Sequence, residues 1–305
     1  MEPIIFAGTP ENAATTLREL VRNGYQIALV VTRLDAPVGR KKVLTPSAVA
    51  QAANELGLPI LKTNRITTQD EQAIRQSGAQ LALVVAFGAL LKKSTIELLD
   101  VGWFNLHYSV LPRWRGASPV QSAILAGDKS TGVSLFKIDE GLDTGDLVGV
   151  VETVIEPGEN THRLLARLTD LGVSLALQEL PKLFAGIATL TAQTGSPTIA
   201  KKTTRIDARI LPSDTAATAL AKVLAYNPEP MAWMEVNGQP LRILEAAHSL
   251  QGLAAGSLEV TKRGVLLGFA DGRSIELLLV QPAGKSQMAA NDWFRGTKES
   301  ERVIS

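Results

Sequence analysis

Short apolar runs that alternate with helical patterns constrain the fold of the first half of this chain. Residues 3–7, 26–32 and 80–86 are rich in aliphatic side chains and do not alternate with polar ones, as in strands covered on both faces. Between these runs, residues 11–23 and 47–56 place their apolar side chains on one helical side. This β-α-β order predicts an open parallel sheet of the α/β class.

The last third of the chain has a different pattern, which predicts a smaller β domain. Its strand-like runs are 232–236, 240–246, 256–260, 264–269 and 274–280. Asn237-Gly238 and Asp271-Gly272 lie between such runs and are typical of hairpin turns. Several short strands joined by glycine turns indicate a small β-barrel.

The length of the chain, 305 residues, favours two domains over one. Thr194 to Pro197 begins a polar, basic segment that reads as a linker. We therefore predict a first domain at 1–195, a linker at 196–210 and a second domain at 211–305.

Asn105 and His107 form the most informative polar pair. They follow an apolar strand entry and precede a proline loop. Side chains two apart on a strand project to the same side, so an amide and an imidazole could together hold a carbonyl oxygen that becomes an oxyanion. Asp143, in a later glycine-rich turn, could orient the imidazole or accept a proton. The simpler interpretation is a buried, hydrogen-bonded histidine and a turn aspartate. Spacing alone does not decide whether Asp143 or Asp146 is the carboxylate beside the histidine.

Composition excludes several classes of function. The sequence contains no cysteine, which rules out disulfides, thiolate catalysis and cysteine zinc sites, and its three histidines are scattered, so we expect no metal. A net charge of +1 provides no global attraction for nucleic acid, so any such contact must be a local patch.

The chain enters a strand-like run at once, without a leader or a membrane-length apolar segment, and we expect a cytoplasmic protein with no membrane contact.

Five motifs in order resemble the folate-dependent formyltransferases, most closely the branch that acts on methionyl initiator tRNA. The resemblance runs nearly end to end and is carried by Phe6-Ala7-Gly8-Thr9-Pro10, Ala36 to Lys42, Val84 to Gly88, Asn105 to Pro112 with Arg115 to Pro119, and Gly141 to Gly145. Arg205-Ile206-Asp207 and Tyr226 to Pro230 are similar to the family's linker and second domain.

The resemblance implies a Rossmann-like N-terminal formyltransferase domain and a C-terminal OB-like domain that contacts tRNA. It also implies a direct reaction without metal, in which the α-amine of initiator methionyl-tRNA attacks the formyl carbon of 10-formyltetrahydrofolate. Asn105 and a protonated His107 would hold the oxyanion, and Asp143 would favour that charge and remove the amine proton. We expect a monomer.

The family motifs also assign binding residues. Residues implied to contact the folate are Phe87, Gly88, Leu90, Ser109, Val110, Leu111, Pro112, Asp139 and Gly141. Residues implied to contact tRNA are Arg40, Lys41, Lys42, Lys201, Lys202 and Arg205. The chain departs from the family pattern at Lys92, at Glu229 and in a basic loop that is one residue shorter.

Three alternatives stay open. The same chemistry could serve a small amine or a sugar-nucleotide amine, and the charge-neutral second domain leaves room for this. A catalytically inactive RNA-binding protein with the same fold would not need Asn105, His107 and Asp143. A folate hydrolase would use the same three residues with water as the acceptor.

Overall fold

The protein consists of two compact units. The computed structural model describes residues 2–39, 41–298 and 304. The first unit comprises residues 1–119, 130–153 and 165–200, and the second comprises 120–129, 154–164 and 201–305. Two internal segments, 120–129 and 154–164, therefore group with the C-terminal part.

The first two thirds of the chain contain eleven strands and six helices among the described residues. The strands are β1 (Ile4–Gly8), β2 (Ile27–Thr32), β3 (Ala36–Val38), β4 (Val43–Thr45), β5 (Ile60–Lys62), β6 (Leu81–Val85), β7 (Gly102–His107), β8 (Arg115–Gly116), β9 (Ser130–Lys137), β10 (Leu147–Val154) and β11 (Ile199–Ala200). The helices are α1 (Glu11–Arg22), α2 (Ala48–Glu55), α3 (Thr68–Gln76), α4 (Lys93–Ile96), α5 (Pro119–Ala126) and α6 (Thr161–Phe184).

A seven-stranded sheet organises the first unit, in the order β10-β9-β7-β6-β1-β2-β5. Each of the neighbouring pairs among β7, β6, β1, β2 and β5 is parallel. The predicted parallel α/β sheet is thus confirmed for this part. β9 instead pairs antiparallel with β7, so the sheet as a whole is mixed but rich in parallel strands.

The carboxyl ends of β1, β6 and β7 meet at one edge of this sheet. Gly8 pairs with Val85, and Val84 pairs with Asn105, so the residues after these strands are neighbours. The Thr9 hydroxyl donates a hydrogen bond of 2.9 Å to the Phe87 carbonyl oxygen across the same edge. Ligands of open α/β sheets bind beyond such strand ends. The sheet therefore brings the residues that follow these three strands together at one edge.

A short hairpin that sequence reasoning missed occupies the basic loop after β2. Ala36–Val38 pairs antiparallel with Val43–Thr45, whereas the sequence predicts only a loop with proline and glycine. Val38, Val43 and Leu44 are more than half exposed on it. The strand residues are too few and too exposed to produce the buried, continuous apolar run by which the other strands are recognised.

The second unit is an antiparallel β domain, as predicted. Its strands are β12 (Trp233–Val236), β13 (Gln239–Gly252), β14 (Leu258–Val260), β15 (Val265–Gly268), β16 (Arg273–Pro282) and β17 (Met288–Ala289), and the helices of its C-terminal segment are α7 (Ala216–Tyr226) and α8 (Ala290–Arg295). The strand order is β12-β13-β16-β15-β14, and β17 pairs with β16. Asn237 and Gly238 have φ of 48° and 71°, the left-handed pair that a two-residue hairpin turn requires.

The predicted linker divides between the two units. Ile199 and Ala200 pair in parallel with Arg115 and Gly116 in the first unit. Residues 201–207 have no helix or strand and are mostly exposed. Arg209 then forms a bridge to Trp233 in the second unit.

Asn227 provides a test of how the second unit is held together. Its side-chain nitrogen donates to the carbonyl oxygens of Ile243 and Leu244 at 2.9 and 2.8 Å, and its oxygen accepts from the Ala232 amide. Because Asn227→Ala leaves these buried backbone groups unpaired, we expect a loss of about 1–3 kcal/mol in the free energy of unfolding, measured by chemical denaturation. The exposed neighbour change Glu229→Ala is the control, and equal stability of both variants would contradict this role.

Candidate active site

A cavity of about 530 Å³ lies beyond the carboxyl ends of β6 and β7. One wall is formed by residues 86–91, which follow β6, and another is the end of β7. The turn at residues 139–143 closes a third side. The cavity thus has about the size that a small-molecule site needs, and most of its lining is apolar.

Asn105 and His107 both face this cavity from the end of β7, as their spacing on a strand predicts. The Asn105 side chain is partly exposed, and within the described part of the chain its amide group makes no hydrogen bond. An amide held by a strand but left without a partner can donate to a ligand oxygen.

His107 is buried and has a fixed hydrogen-bond partner. Its Nε2 lies 2.8 Å from the Trp114 carbonyl oxygen. A carbonyl only accepts, so Nε2 carries the hydrogen, and the neutral ring presents its lone pair at Nδ1. Nδ1 lies 3.7 Å from Asp143 Oδ2, an electrostatic contact that is too long for a hydrogen bond.

Burial determines the resting charge of His107. It lowers the pKa of the imidazole below its ordinary value, while the Asp143 carboxylate and the Trp114 carbonyl raise the pKa in part. A lowered pKa favours the neutral imidazole at rest, whereas the resemblance implies an imidazolium during the reaction. The pKa is lowered because the loss of water around the ring outweighs the nearby negative charge.

Asp143, rather than Asp146, is the carboxylate beside His107. Asp143 has a φ of 52°, and its Oδ2 accepts a hydrogen bond of 2.7 Å from the Gly116 amide. Asp139 shapes this turn by accepting from the Gly141 amide and the Thr144 hydroxyl. Asp146 is exposed and lies outside the cavity lining. The tight turn resolves the choice that spacing alone left open.

Sequence reasoning missed Gln193 and Arg115, which hold the turn that carries Asp143. Gln193 Nε2 donates to the carbonyl oxygens of Asp143 and Gly145 at 2.9 and 2.8 Å. Arg115 donates from Nε and Nη2 to Gln193 Oε1 at 3.0 and 2.6 Å. Gln193 is 50 residues from Asp143, so no local pattern connects them.

The residues expected to contact the folate fall into two groups. Phe87, Gly88, Leu90, Asp139 and Gly141 line the cavity. Leu90 is 86% exposed at its rim, where a bound heterocycle would remove it from water.

The other group, Ser109 to Pro112, does not line the cavity. Ser109 is fully buried, and its hydroxyl donates to the Arg113 carbonyl. The Ser134 hydroxyl donates to the Ser109 carbonyl at 2.7 Å and accepts from the Leu111 amide at 3.1 Å. These bonds hold residues 109–112 apart from the cavity, whose lining the motif leaves after Tyr108.

The basic residues expected to contact tRNA are dispersed. Lys41 and Lys42 are exposed at the turn between β3 and β4, while Arg40 lies outside the described residues. Lys201 and Lys202 are exposed in the segment after β11. Arg205 lies over the Trp233 ring with its guanidinium carbon 5.0 Å from the ring centroid.

The described residues contain neither a candidate metal site nor a candidate membrane-spanning helix. No group of three or more His, Cys, Asp or Glu side chains in residues 2–39, 41–298 and 304 could hold a metal ion. Within the same residues, no helix is long and apolar enough to cross a membrane.

Comparison with protein families assigns the chain to a class. The "Formyl transferase" family model matches residues 2–180, and the "Formyl transferase, C-terminal domain" model matches residues 199–298. The chain belongs to the formyltransferase family.

The chain is also similar to individual members of this family over nearly its whole length. The chain is 41% identical over 302 residues to the methionyl-tRNA formyltransferase of Clavibacter sepedonicus, covering 98% of this chain and 99% of the relative. It is 42% identical over 295 residues to the methionyl-tRNA formyltransferase of Renibacterium salmoninarum, covering 96% of each. Among solved structures, an N-formyltransferase from Helicobacter canadensis, in complex with folinic acid and dTDP-3-aminofucose, has a TM-score of 0.68 at 19% identity and covers 92% of this chain and 100% of its own.

A titration of the imidazole resonances tests the resting charge of His107. We expect a pKa below 6.5 in the wild type. Asp143→Asn should lower the pKa further, because the carboxylate is the nearby group that raises it. The signal is assigned by its loss in His107→Gln. A pKa above 6.5 in the wild type, or a higher one in Asp143→Asn, would contradict the arrangement described above.

Proposed function

We propose that this protein transfers the formyl group of 10-formyltetrahydrofolate to the α-amine of methionyl initiator tRNA. The observation that carries the proposal is the convergence of the unpartnered Asn105 amide, the buried His107 imidazole and the Asp143 carboxylate on one cavity. Relatives about 40% identical over nearly the whole chain, named for this reaction, support it.

The cavity supports a folate as the formyl donor. A pterin ring is flat, with donors and acceptors along its edge, and the backbone of residues 86–91 offers such groups inside an apolar slot. Leu90 and Leu142, both substantially exposed, would cover the rest of the donor. The donor's formyl group would then point towards the end of β7.

The mechanism we propose is direct attack without a covalent enzyme intermediate. The amine nitrogen bonds to the formyl carbon, and the Asn105 amide stabilises the oxygen that becomes negative. The neutral His107 accepts at Nδ1 a proton lost by the amine, and Asp143 stabilises the resulting imidazolium.

The second half of the reaction returns that proton. The tetrahedral intermediate collapses and expels N10 of the folate, which takes the proton from His107. The products, N-formylmethionyl-tRNA and tetrahydrofolate, then leave, and the enzyme regains its resting state. Holding the amine and the formyl carbon together supplies much of the acceleration, because neither reactant needs covalent activation.

The acceptor, location and assembly complete the proposal. Exposed Lys41, Lys42, Lys201 and Lys202, together with Arg40 and Arg205, would contact tRNA phosphates. We place the catalytic domain at 1–195, the linker at 196–210 and an OB-like tRNA-contacting domain at 211–305. A monomer in the cytoplasm fits a role in translation initiation.

An acceptor competition tests this function against its closest alternative. The alternative is a sugar-nucleotide amine, which the fold shared with the Helicobacter canadensis enzyme favours. Formylation of charged initiator tRNA is measured with 10-formyltetrahydrofolate, alone and with a UDP-4-amino-sugar. We expect tRNA to be formylated at an unchanged rate. Formylation of the sugar amine in preference to tRNA would make the alternative correct, and formate release without either product would indicate a hydrolase.

Replacing the proposed catalytic groups tests their roles. We expect Asn105→Ala to lower kcat by about two to three orders of magnitude, the usual effect of losing an oxyanion donor. Asp143→Asn should also abolish most activity, whereas the matched change Asp146→Asn should have little effect because its side chain lies outside the cavity. Steady-state kinetics of folded variants provide the measurement. Greater harm from Asp146→Asn would reverse the assignment.

The basic hairpin tests the tRNA assignment. We expect replacement of Arg40, Lys41 and Lys42 by Ala to weaken tRNA binding and to reduce its salt dependence by about one unit of slope per lost phosphate contact. Folate binding should not change, because the hairpin follows a different strand from residues 86–91. Arg22→Ala with Arg75→Ala removes two cations elsewhere and serves as the control. An unchanged salt slope in the hairpin variant would assign these residues to the solvated surface.

A further inference from the structure

We infer that Gln193 and Thr198 are positioning residues for the formyl transfer reaction, although they lie 50 and 84 residues in sequence from the groups that they hold. Gln193 holds Asp143, and Thr198 holds the carbonyl that fixes the His107 tautomer. This inference rests on the proposed function, and its spectroscopic test below does not depend on the acceptor.

Gln193 fixes the Asp143 turn from behind. Its single amide nitrogen donates to the carbonyl oxygens of both Asp143 and Gly145, at 2.9 and 2.8 Å. Asp143 has left-handed backbone geometry, which non-glycine residues rarely adopt unless their surroundings enforce it. These two bonds span the residue that follows Asp143 and hold the turn in that geometry.

Arg115 determines which way the Gln193 amide points. Its guanidinium donates two hydrogen bonds to Gln193 Oε1, so the opposite side of the amide must present NH₂ to the turn. Arg115 is adjacent to Gly116, whose amide donates to Asp143 Oδ2 at 2.7 Å. Asp143 is therefore held at its backbone and at its carboxylate by one connected set of bonds.

Thr198 holds the partner of His107. Its hydroxyl accepts a hydrogen bond of 2.8 Å from the Trp114 amide, and its carbonyl accepts one of 2.9 Å from the Arg115 amide. The Trp114 carbonyl oxygen in turn accepts from His107 Nε2 at 2.8 Å. Trp114 has a φ of 61°, so this carbonyl depends on an uncommon backbone conformation that Thr198 supports.

The close approach of β11 to β8 gives this support its rigidity. A Cβ on Gly116 would lie 2.6 Å from the Ala200 carbonyl oxygen, so only glycine admits the strand at this distance. The Ala117 amide donates to the same oxygen at 2.8 Å. Residues 193–200 thus hold both the turn that carries Asp143 and the loop whose carbonyl binds His107.

Steady-state kinetics of two variants, each with its own control, test the inference. Thr198→Val removes the hydroxyl, and Thr198→Ser keeps it. Gln193→Met removes the amide at similar length, and the exposed Thr194→Val is a matched control. We expect Thr198→Val and Gln193→Met to lower kcat about 10- to 100-fold through misplaced groups, with KM for both substrates nearly unchanged. Thr198→Ser should restore most of the rate. Wild-type kcat in folded Thr198→Val and Gln193→Met would overturn the inference.

A spectroscopic measurement separates this inference from the proposed function. The ¹⁵N resonances of the His107 ring report which nitrogen carries the hydrogen. We expect the Nε2–H form in the wild type, in Thr198→Ser and in Thr194→Val, and a tautomer mixture in Thr198→Val. An unchanged single tautomer in Thr198→Val would refute the role of Thr198 even if transfer to tRNA is observed. A wild type that formylates no tRNA but shows the expected tautomer shift would refute only the proposed acceptor.

Discussion

The hydrogen bond between His107 Nε2 and the Trp114 carbonyl oxygen is the interaction on which the site depends. It commits the proton to one ring nitrogen and leaves Nδ1 facing Asp143. The loop at residues 114–116 holds His107 through its carbonyl and Asp143 through the Gly116 amide, so its position determines the geometry of both groups.

The sheet explains why these residues lie together. β1, β6 and β7 are adjacent and parallel, and their carboxyl ends place Thr9, Phe87 and Asn105 at one edge. A parallel sheet leaves unpaired backbone groups and polar side chains at this edge, which is the usual position of ligands in open α/β folds. The described residues that line the cavity belong to the first unit.

Much of the fold was predictable because local signals and tertiary structure agree. Buried strands such as Ile4–Gly8 and Leu81–Val85 are continuous apolar runs, and the hairpin turn at Asn237-Gly238 has an unambiguous sequence signal. The hairpin Ala36–Val38 with Val43–Thr45 was missed because its strands are short and exposed.

The site was predictable only in part. The spacing of Asn105 and His107 indicated that they share a face, and the resemblance selected Asp143 over Asp146. The lowered pKa of His107 was not predictable, because it reflects burial by residues distant in sequence. Gln193 and Thr198 were missed for the same reason: their partners at residues 143, 145 and 114 come close only in the folded chain.

The most direct test of the central claim is a crystal structure of the protein with a non-transferable 10-formyl folate analogue. The proposed mechanism predicts the pterin against the backbone of residues 86–91 and the formyl oxygen about 3 Å from Asn105 Nδ2, with His107 Nδ1 facing the approach path of the amine. A formyl group that points away from Asn105, or a folate bound outside this cavity, would contradict it.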